Sequence, residues 1–319
     1  MVDINAGSIN ALTARTSLVF NKYISTVPSH YVKVAMTIPS NAGENFYPRI
    51  AELPGMREWA GQRVVHRLNT QERFTIVNRT FEETFGIRRE DFEDDQFGFL
   101  TPAIQQLAAD AAKLPDRLVF GLLENGHREI GIDGQYFFDT DHVGTGKNGQ
   151  PTAFANIMRP GDGEQAAPAW YLFNTQNPLK PLIFQTRRPF SVTSRTQLTD
   201  GIVFNHNELQ WGIDGRCNAG FGLHNFAFRS TAPLTAENLG KAISMMETQY
   251  RKDGQPYNSR PNIMFVPTSL EGAGRTLLEK DLIPQLAPDG KTYITGSNPW
   301  SNTLELNVCP YLDPLVRND

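Results

Sequence analysis

Apolar side chains at Ile9, Leu12, Val19, Phe20 and Tyr23 recur near 3.6 residues, which predicts an amphipathic helix over 8–24 with Ser8 as its N-cap. The pattern then dissolves. From Thr26 to Ile50 no period lasts, and Pro28, Pro39, Gly43 and Pro48 punctuate the stretch. It reads as an extended arm, long for a connection inside one compact domain. Two strands are expected next, Gln62–Leu68 and Glu72–Phe81, joined by Asn69-Thr70-Gln71. Arg63, His66 and Arg67 stud the first; Glu72, Arg73, Arg79, Glu82 and Glu83 surround the second. Val64, Val65, Phe74, Ile76 and Val77 are too few apolar groups for a core, and an isolated two-stranded hairpin is marginal in water. Such a hairpin either lies on the edge of its own domain or projects and docks on another subunit.

The clearest element follows. Ile104, Leu107, Ala111, Leu114, Leu118 and Leu122 step by three and four, predicting a helix over 102–124 that spans about 35 Å. Thr101 is placed to cap it, Pro102 suits its first position, and Gly126 is placed for a left-handed C-terminal cap. Pro115 forfeits a bond to the carbonyl of Ala111, so a kink or break is expected there. From Trp170 to Phe228 the chain is β-rich, with short runs at Trp170–Phe173, Leu182–Phe184, Ile202–Phe204 and Leu209–Trp211. The period then changes again. Thr235 opens a helix through Leu239, Ile243, Met246 and Tyr250 that stops near Gly254, and Asn262–Val266 is a buried strand. Thr268-Ser269-Leu270-Glu271 is a capping box for a helix through Leu278, and Leu304–Val308 is a last strand before Pro310 and Pro314.

Composition narrows the function. The chain has 319 residues, enough for about two domains, and 20 Phe, 9 Tyr and 4 Trp supply ample surface to bury, which excludes intrinsic disorder. Thirty Lys and Arg against 34 Asp and Glu give a net charge of −4, unlike the clustered basic excess of a nucleic-acid binder. No apolar run approaches the ~20 residues of a membrane span, and Met1–Ser8 shows no basic signal-like start. Cys217 and Cys309 lie far apart, which argues against a zinc site or disulfide framework and for a reducing compartment.

Candidate chemistry is thin. Gly144-Thr145-Gly146-Lys147-Asn148-Gly149 has the letters of a dinucleotide loop but precedes Pro151 instead of opening a helix, and Lys147 is not followed by the Ser or Thr of a P-loop. Glu90-Asp91-Phe92-Glu93-Asp94-Asp95 lacks the calcium-loop pattern and reads as an acidic patch before the long helix. Asp139, Asp141 and His142, with Asp133 and His127 nearby, are the residues a metal-dependent hydrolase would use, although turn chemistry is the commoner employment of such clusters. There is no G-x-S-x-G elbow, neither cysteine sits in a motif, and no cofactor is implied.

Several stretches together resemble the Mu-like bacteriophage major head subunit family: Tyr31–Met36, Leu53–Trp59, Asn78–Asp95 (NRTFEETFGIRREDFEDD), Asp133–His142, Pro181–Arg188 and Phe265–Leu278. The resemblance implies an α+β fold of the HK97 capsid type. Its expected parts are an N-terminal arm (1–46), an extended loop (47–84), a peripheral domain (85–232) with a spine helix at 102–124, an axial domain (233–310) and a C-terminal tail (311–319). It implies a structural protein and no enzyme: a major capsid subunit self-assembling into hexamers and pentamers of an icosahedral shell around a double-stranded DNA genome. The partners implied are further copies of the chain, a scaffold and protease, a portal, and decoration proteins, with only loose contact to the packaged DNA. The location implied is the virion, after assembly in the host cytoplasm. An encapsulin-like cargo shell would share the fold. Arg49, Arg57, Arg63, Arg67 and Arg73 of the loop are expected to face Glu90, Asp91, Glu93, Asp94 and Asp95 of an adjacent subunit. Each exposed ion pair contributes at most about 1 kcal/mol, so such pairs set register more than stability.

Overall fold

In a computed structural model the chain is described at residues 6–48, 61, 73–94, 98–251, 254–286 and 292–313. The strand expected over Gln62–Leu68 lies outside the described residues. The first helix, α1 (Ala6–Ile24), starts two residues before Ser8, which therefore lies inside the first turn and not at the N-cap position. Phe20 is the fully buried anchor of its apolar face.

Residues 26–48 are not a bare arm. They form one helical turn, α2 (Tyr31–Val34), then β1 (Ala35–Pro39) and β2 (Glu44–Pro48). Strand β1 is too short to carry a period, and its ladder partner, the parallel strand starting at Leu182, is remote in sequence. Strand β2 pairs with β3 (Arg73–Val77). The single strand expected over 72–81 is split at Asn78, beyond which runs β4 (Arg79–Arg88). Buried Asn78 donates to Ser40 Oγ and Ala42 O, both at 2.9 Å, and accepts from Gln185 Nε2 at 2.8 Å. That network takes Asn78 out of the ladder and turns the chain onto a different sheet.

After the single-turn α3 (Arg89–Glu93) comes α4 (Leu100–Asn125), 26 residues and about 39 Å long. It departs from expectation three times. Phe99 takes the N-cap position instead of Thr101, the helix runs unbroken through Pro115, and Gly126 is right-handed with φ −59°. Packing explains the second: Ile104, Leu107 and Ala111 lie in one core and Leu114, Val119, Phe120 and Leu123 in another, so both flanking halves are held. The glycine serves clearance, since a Cβ at Gly126 would stand 2.8 Å from the Phe138 ring.

Alongside α4 run β9 (Leu182–Arg195) and β10 (Glu208–Phe221), 14 residues each, in a four-stranded sheet ordered β1-β9-β10-β4. Their inner ends (Leu182, Phe184, Cys217, Phe221) enter the same core as the second half of α4, and their outer ends (Val192, Leu209, Trp211, Ile213) enter the core of the first half. Between them Ile202–Phe204, expected as a strand, is the turn of helix α5 (Gly201–His206), closed by Asn207 at φ 53°. Three apolar residues cannot reveal a period, and Asn tolerates the left-handed conformation that ends the turn.

A five-stranded sheet is ordered β15 (Glu305–Val308), β12 (Ile263–Val266), β8 (Trp170–Phe173), β11 (Ala227–Ser230) and β7 (Ile157–Met158). It is covered on both faces, which is why its interior strands β8 and β12 are continuously apolar. Trp170, Leu172, Met264 and Val266 meet α6 (Ala236–Glu247) and α7 (Glu271–Glu279); Tyr171, Phe173, Ile263 and Phe265 meet the end of α4. Thr235 caps α6 as expected, accepting from Asn238 N at 3.2 Å, but the helix ends at Glu247, leaving Tyr250 in bridges to Thr145 and Pro256. The capping box does not form: residues 268–270 are a 3-10 turn and the Thr268 hydroxyl donates to Asp313. Two hairpins complete the fold, β5 (His142–Thr145) with β6 (Pro151–Phe154) and β13 (Leu282–Leu286) with β14 (Tyr293–Ser297).

A buried carboxylate fastens the N-terminal segment to α4. Asp116, one residue past Pro115, accepts the backbone N–H groups of His30 (2.9 Å) and Tyr31 (2.7 Å) at the start of α2. Burial pushes its carboxyl above the ordinary value, against the pull of those two donors. A raised folded value means that its contribution to stability is fullest below about pH 4 and falls as pH rises through the raised value. Asp116→Ala strands two donors and is expected to cost about 2 kcal/mol or more by chemical denaturation, whereas Asp116→Asn keeps an acceptor and loses less. Faster amide exchange confined to 26–40 in Asp116→Ala checks the local cause; unchanged exchange there contradicts it.

Both cysteines are buried, and burial pushes their thiols up to about 11 for Cys217 and about 12 for Cys309. Neither supplies thiolate near neutrality. Ellman's reagent at pH about 8 is expected to label neither in the native chain and both after unfolding; rapid native labelling would contradict the packing described.

Candidate assembly surface

Of the residues expected to meet a neighbour, Glu90, Asp91, Glu93 and Asp94 lie at one end of the four-stranded sheet. Strand β4 delivers α3 there, and the β9–β10 connection delivers α5. The two helices are joined: Arg89 N donates to Asn207 O at 2.9 Å, and Asn207 Nδ2 to Glu90 Oε1 at 3.0 Å. Asp91 and Asp94 are exposed beside them. Glu93 is already engaged within the same turn, where Arg89 Nε donates to it at 2.9 Å. Arg73 opens β3 opposite Pro48. Arg49, Arg57, Arg63, Arg67 and Asp95 lie outside the described residues.

The largest feature of this end escaped sequence reasoning. Phe204, assigned to a strand interior by its apolar neighbours, is 81% exposed on α5, and Leu198 on the same connection is 40% exposed. Val203 next to it is buried against α1 and α4. The helical phase separates the two, and only a correct helix assignment would have shown it.

At the other end of β3 the β2–β3 pair is fixed to the four-stranded sheet. Gln185, fully buried on β9, donates to Ile76 O (3.1 Å) and Asn78 Oδ1 (2.8 Å), and Tyr47 donates to its Oε1 at 2.7 Å. Ile76 lies directly over Gly220, where a Cβ would come within 2.4 Å of it. These bonds and that close contact hold the β2–β3 pair firmly against β9 and β10.

The candidate metal ligands do not converge. Asp139 accepts from Thr140 N at 2.8 Å, and the Asp141 carboxylate faces the Gln135 amide at 3.4 Å. His127 is drawn into a different environment, where burial and then Arg229 and Arg128 hold its imidazole below the ordinary value. His142 turns inward to Asp133 and to a residue that no spacing connects with it, His224. Donor atoms of Asp133, His142 and His224 lie within 4.8 Å of one another. The two imidazoles, however, are stacked with centroids 4.1 Å apart and planes 3° from parallel. An ion bound by an imidazole nitrogen lies near the ring plane, so one ion cannot serve both rings as they stand. The Gly144–Gly149 segment is simply the turn of the β5–β6 hairpin, closed by Gly146 N to Gln150 O at 2.8 Å.

The comparisons agree with an assembly role. A family model described as Mu-like prophage major head subunit gpT matches residues 9–312. The major capsid protein of Escherichia phage Mu is 34% identical over 312 residues, 97% of this chain and 99% of its own length. A chain from the procapsid of bacteriophage JBD30 superposes with a TM-score of 0.82 at 35% identity, covering 97% of this chain and all of that one. A chain from the JBD30 capsid decorated with minor capsid protein trimers gives a TM-score of 0.72 at 27% identity, over 91% of this chain and 93% of that one. On the family match, the identity over nearly the whole chain and the superposition, the chain belongs to the Mu-like prophage major head subunit family and is a phage capsid protein of the HK97-like fold.

Proposed function

We propose that the α3–α5 end of each subunit is the seat for a neighbour's extended loop in the shell. The observation that carries this is Phe204, 81% exposed on α5, the helix that Asn207 ties to α3 with its exposed Asp91 and Asp94. A Phe side chain gains roughly 1.5–3 kcal/mol on full burial, against at most about 1 kcal/mol for an exposed ion pair. Phe204 therefore supplies affinity, while Arg49, Arg57, Arg63, Arg67 and Arg73 of the adjacent copy select register against Glu90, Asp91, Asp94 and Asp95. Repetition of one such contact around closed symmetry makes a stable container from modest interactions.

On this reading the arm is 1–46, the extended loop 47–84 and the tail 311–319. The peripheral domain (85–232) is centred on α4 and the four-stranded sheet, and the axial domain (233–310) on α6 and α7. Strands β7, β8 and β11 of the peripheral range share one sheet with β12 and β15 of the axial range, so on this reading the two domains meet in that sheet. The subunits form hexamers and pentamers of an icosahedral shell, assembled in the host cytoplasm around a scaffold with a protease and a portal. Decoration proteins bind its exterior; the decorated JBD30 capsid supports that part. The double-stranded DNA inside is touched loosely, as the net charge of −4 favours.

Phe204→Asp and, separately, Asp91→Lys with Asp94→Lys are expected to prevent closed particles in negative-stain microscopy. Each should leave the unfolding free energy of the free subunit within about 0.5 kcal/mol of wild type. Arg63→Glu with Arg67→Glu should restore assembly to the double-lysine variant. Normal particles from Phe204→Asp would contradict the seat.

A further inference from the structure

Away from the assembly surface, the β7 edge of the five-stranded sheet gathers cations, and strand alternation builds the group. Phe228 enters the core under α6 and α7, so the next residue, Arg229, lies on the α4 side with its register partners Tyr171 of β8 and Ile157 of β7. Ile157 joins the α4 core and Met158 the other, and the same alternation returns Arg159 to the α4 side. The Tyr171 hydroxyl donates to Leu123 O at 3.2 Å, which sets this edge against the last turn of α4. The turn that follows, closed by Arg128 N to Asn125 O at 2.8 Å, adds His127 and Arg128. The charges of Arg229, Arg128 and Arg159 all act on the His127 imidazole.

The group lacks counter-charge. Elsewhere Arg89, Arg188, Arg260 and Arg275 each hold a carboxylate. Among the described residues Arg128, Arg159 and Arg229 form no ion pair, although Glu124 and Glu129 belong to the same stretch of chain as Arg128. The Arg229 guanidinium reaches the Tyr171 hydroxyl, but its Nε is buried without a hydrogen-bond partner, and so is Nδ1 of His127. The C-terminus of α4 supplies about half a negative charge, which leaves about two and a half of the three positive charges unbalanced. A partly buried cation without a counter-ion is costly. Balance has to come from the open side, where Arg128 and Arg159 are exposed and His127 and Arg229 half-buried.

We infer that His127, Arg128, Arg159 and Arg229 form a binding site for a phosphate-class oxyanion, held from the open side against the end of α4. Guanidinium groups meet phosphate oxygens with paired N–H bonds. A phosphate monoester carries about −1.5 to −2 near pH 7, closer to the excess than a single carboxylate. A duplex backbone offers the same oxygens, with one charge per ~1.7 Å of its axis.

Phosphorus NMR of inorganic phosphate titrated with the purified full chain, at fixed ionic strength in chloride, tests the site. The resonance is expected to broaden saturably, and Arg128→Gln with Arg159→Gln to weaken binding about tenfold or more. Both side chains are exposed, so the near-UV circular dichroism of that variant should match wild type. Arg260→Gln with Arg275→Gln removes as much charge elsewhere and should bind as wild type does. A second arm follows a fluorescent DNA duplex. Duplex binding that Arg128→Gln with Arg159→Gln removes, without saturable binding of inorganic phosphate, assigns the site to a backbone phosphate; saturable inorganic phosphate assigns it to the free ion. Binding of neither would overturn the proposal, as would equal loss in the Arg260 and Arg275 control or equal competition by acetate.

Discussion

The fold depends on one shared face. Helix α4 presents a single apolar stripe long enough to enter two cores, and β9 and β10 run beside it through the same two cores. Neither core would orient the other if α4 broke at Pro115. Because both flanking halves are packed, the missing N–H bond is tolerated and the helix acts as a strut. The Asp116 carboxylate next to the proline then uses that rigid stretch to anchor α2, and with it the start of β1.

A strut of this kind carries contact surfaces away from the mass of the protein. At its outer end α3 and α5 are held in place by Arg89 and Asn207, yet among the described residues Phe204 and the carboxylates of Asp91 and Asp94 are left exposed. At the other side of the sheet, the Gln185–Asn78–Tyr47 network holds the β2–β3 pair. Rigid presentation limits the ordering cost of association. That suits a subunit whose contacts are individually weak and whose product is a closed, repeated structure.

Much of this architecture was legible in the residues. The three- and four-residue steps of Ile104 to Leu122 gave α4, Thr235 gave the start of α6, and the all-apolar runs at 170–173 and 263–266 gave buried strands. What was hidden was non-local. The N-terminal segment 26–48 looked structureless because β1 gains its partner from residues beginning at Leu182. The split at Asn78 depends on Ser40 and Gln185, which no local pattern connects. Ile202–Phe204 was too short to distinguish strand from helix, so the exposure of Phe204 was lost with the assignment. His142 was noticed for its acidic neighbours Asp139 and Asp141, whereas the groups it meets are Asp133 and His224, brought together only by the turn after α4 and the chain leading into β11.

The central claim is that the α3–α5 end is finished by a second copy and not by the chain itself. Hydrogen exchange compared between purified shells and dissociated subunits at one pH examines it directly. The account expects amides of 89–94 and 198–207 to be slow only in the shell, with β8 and β12 equally slow in both. Equal exchange of the α3–α5 end in shell and free subunit would contradict it.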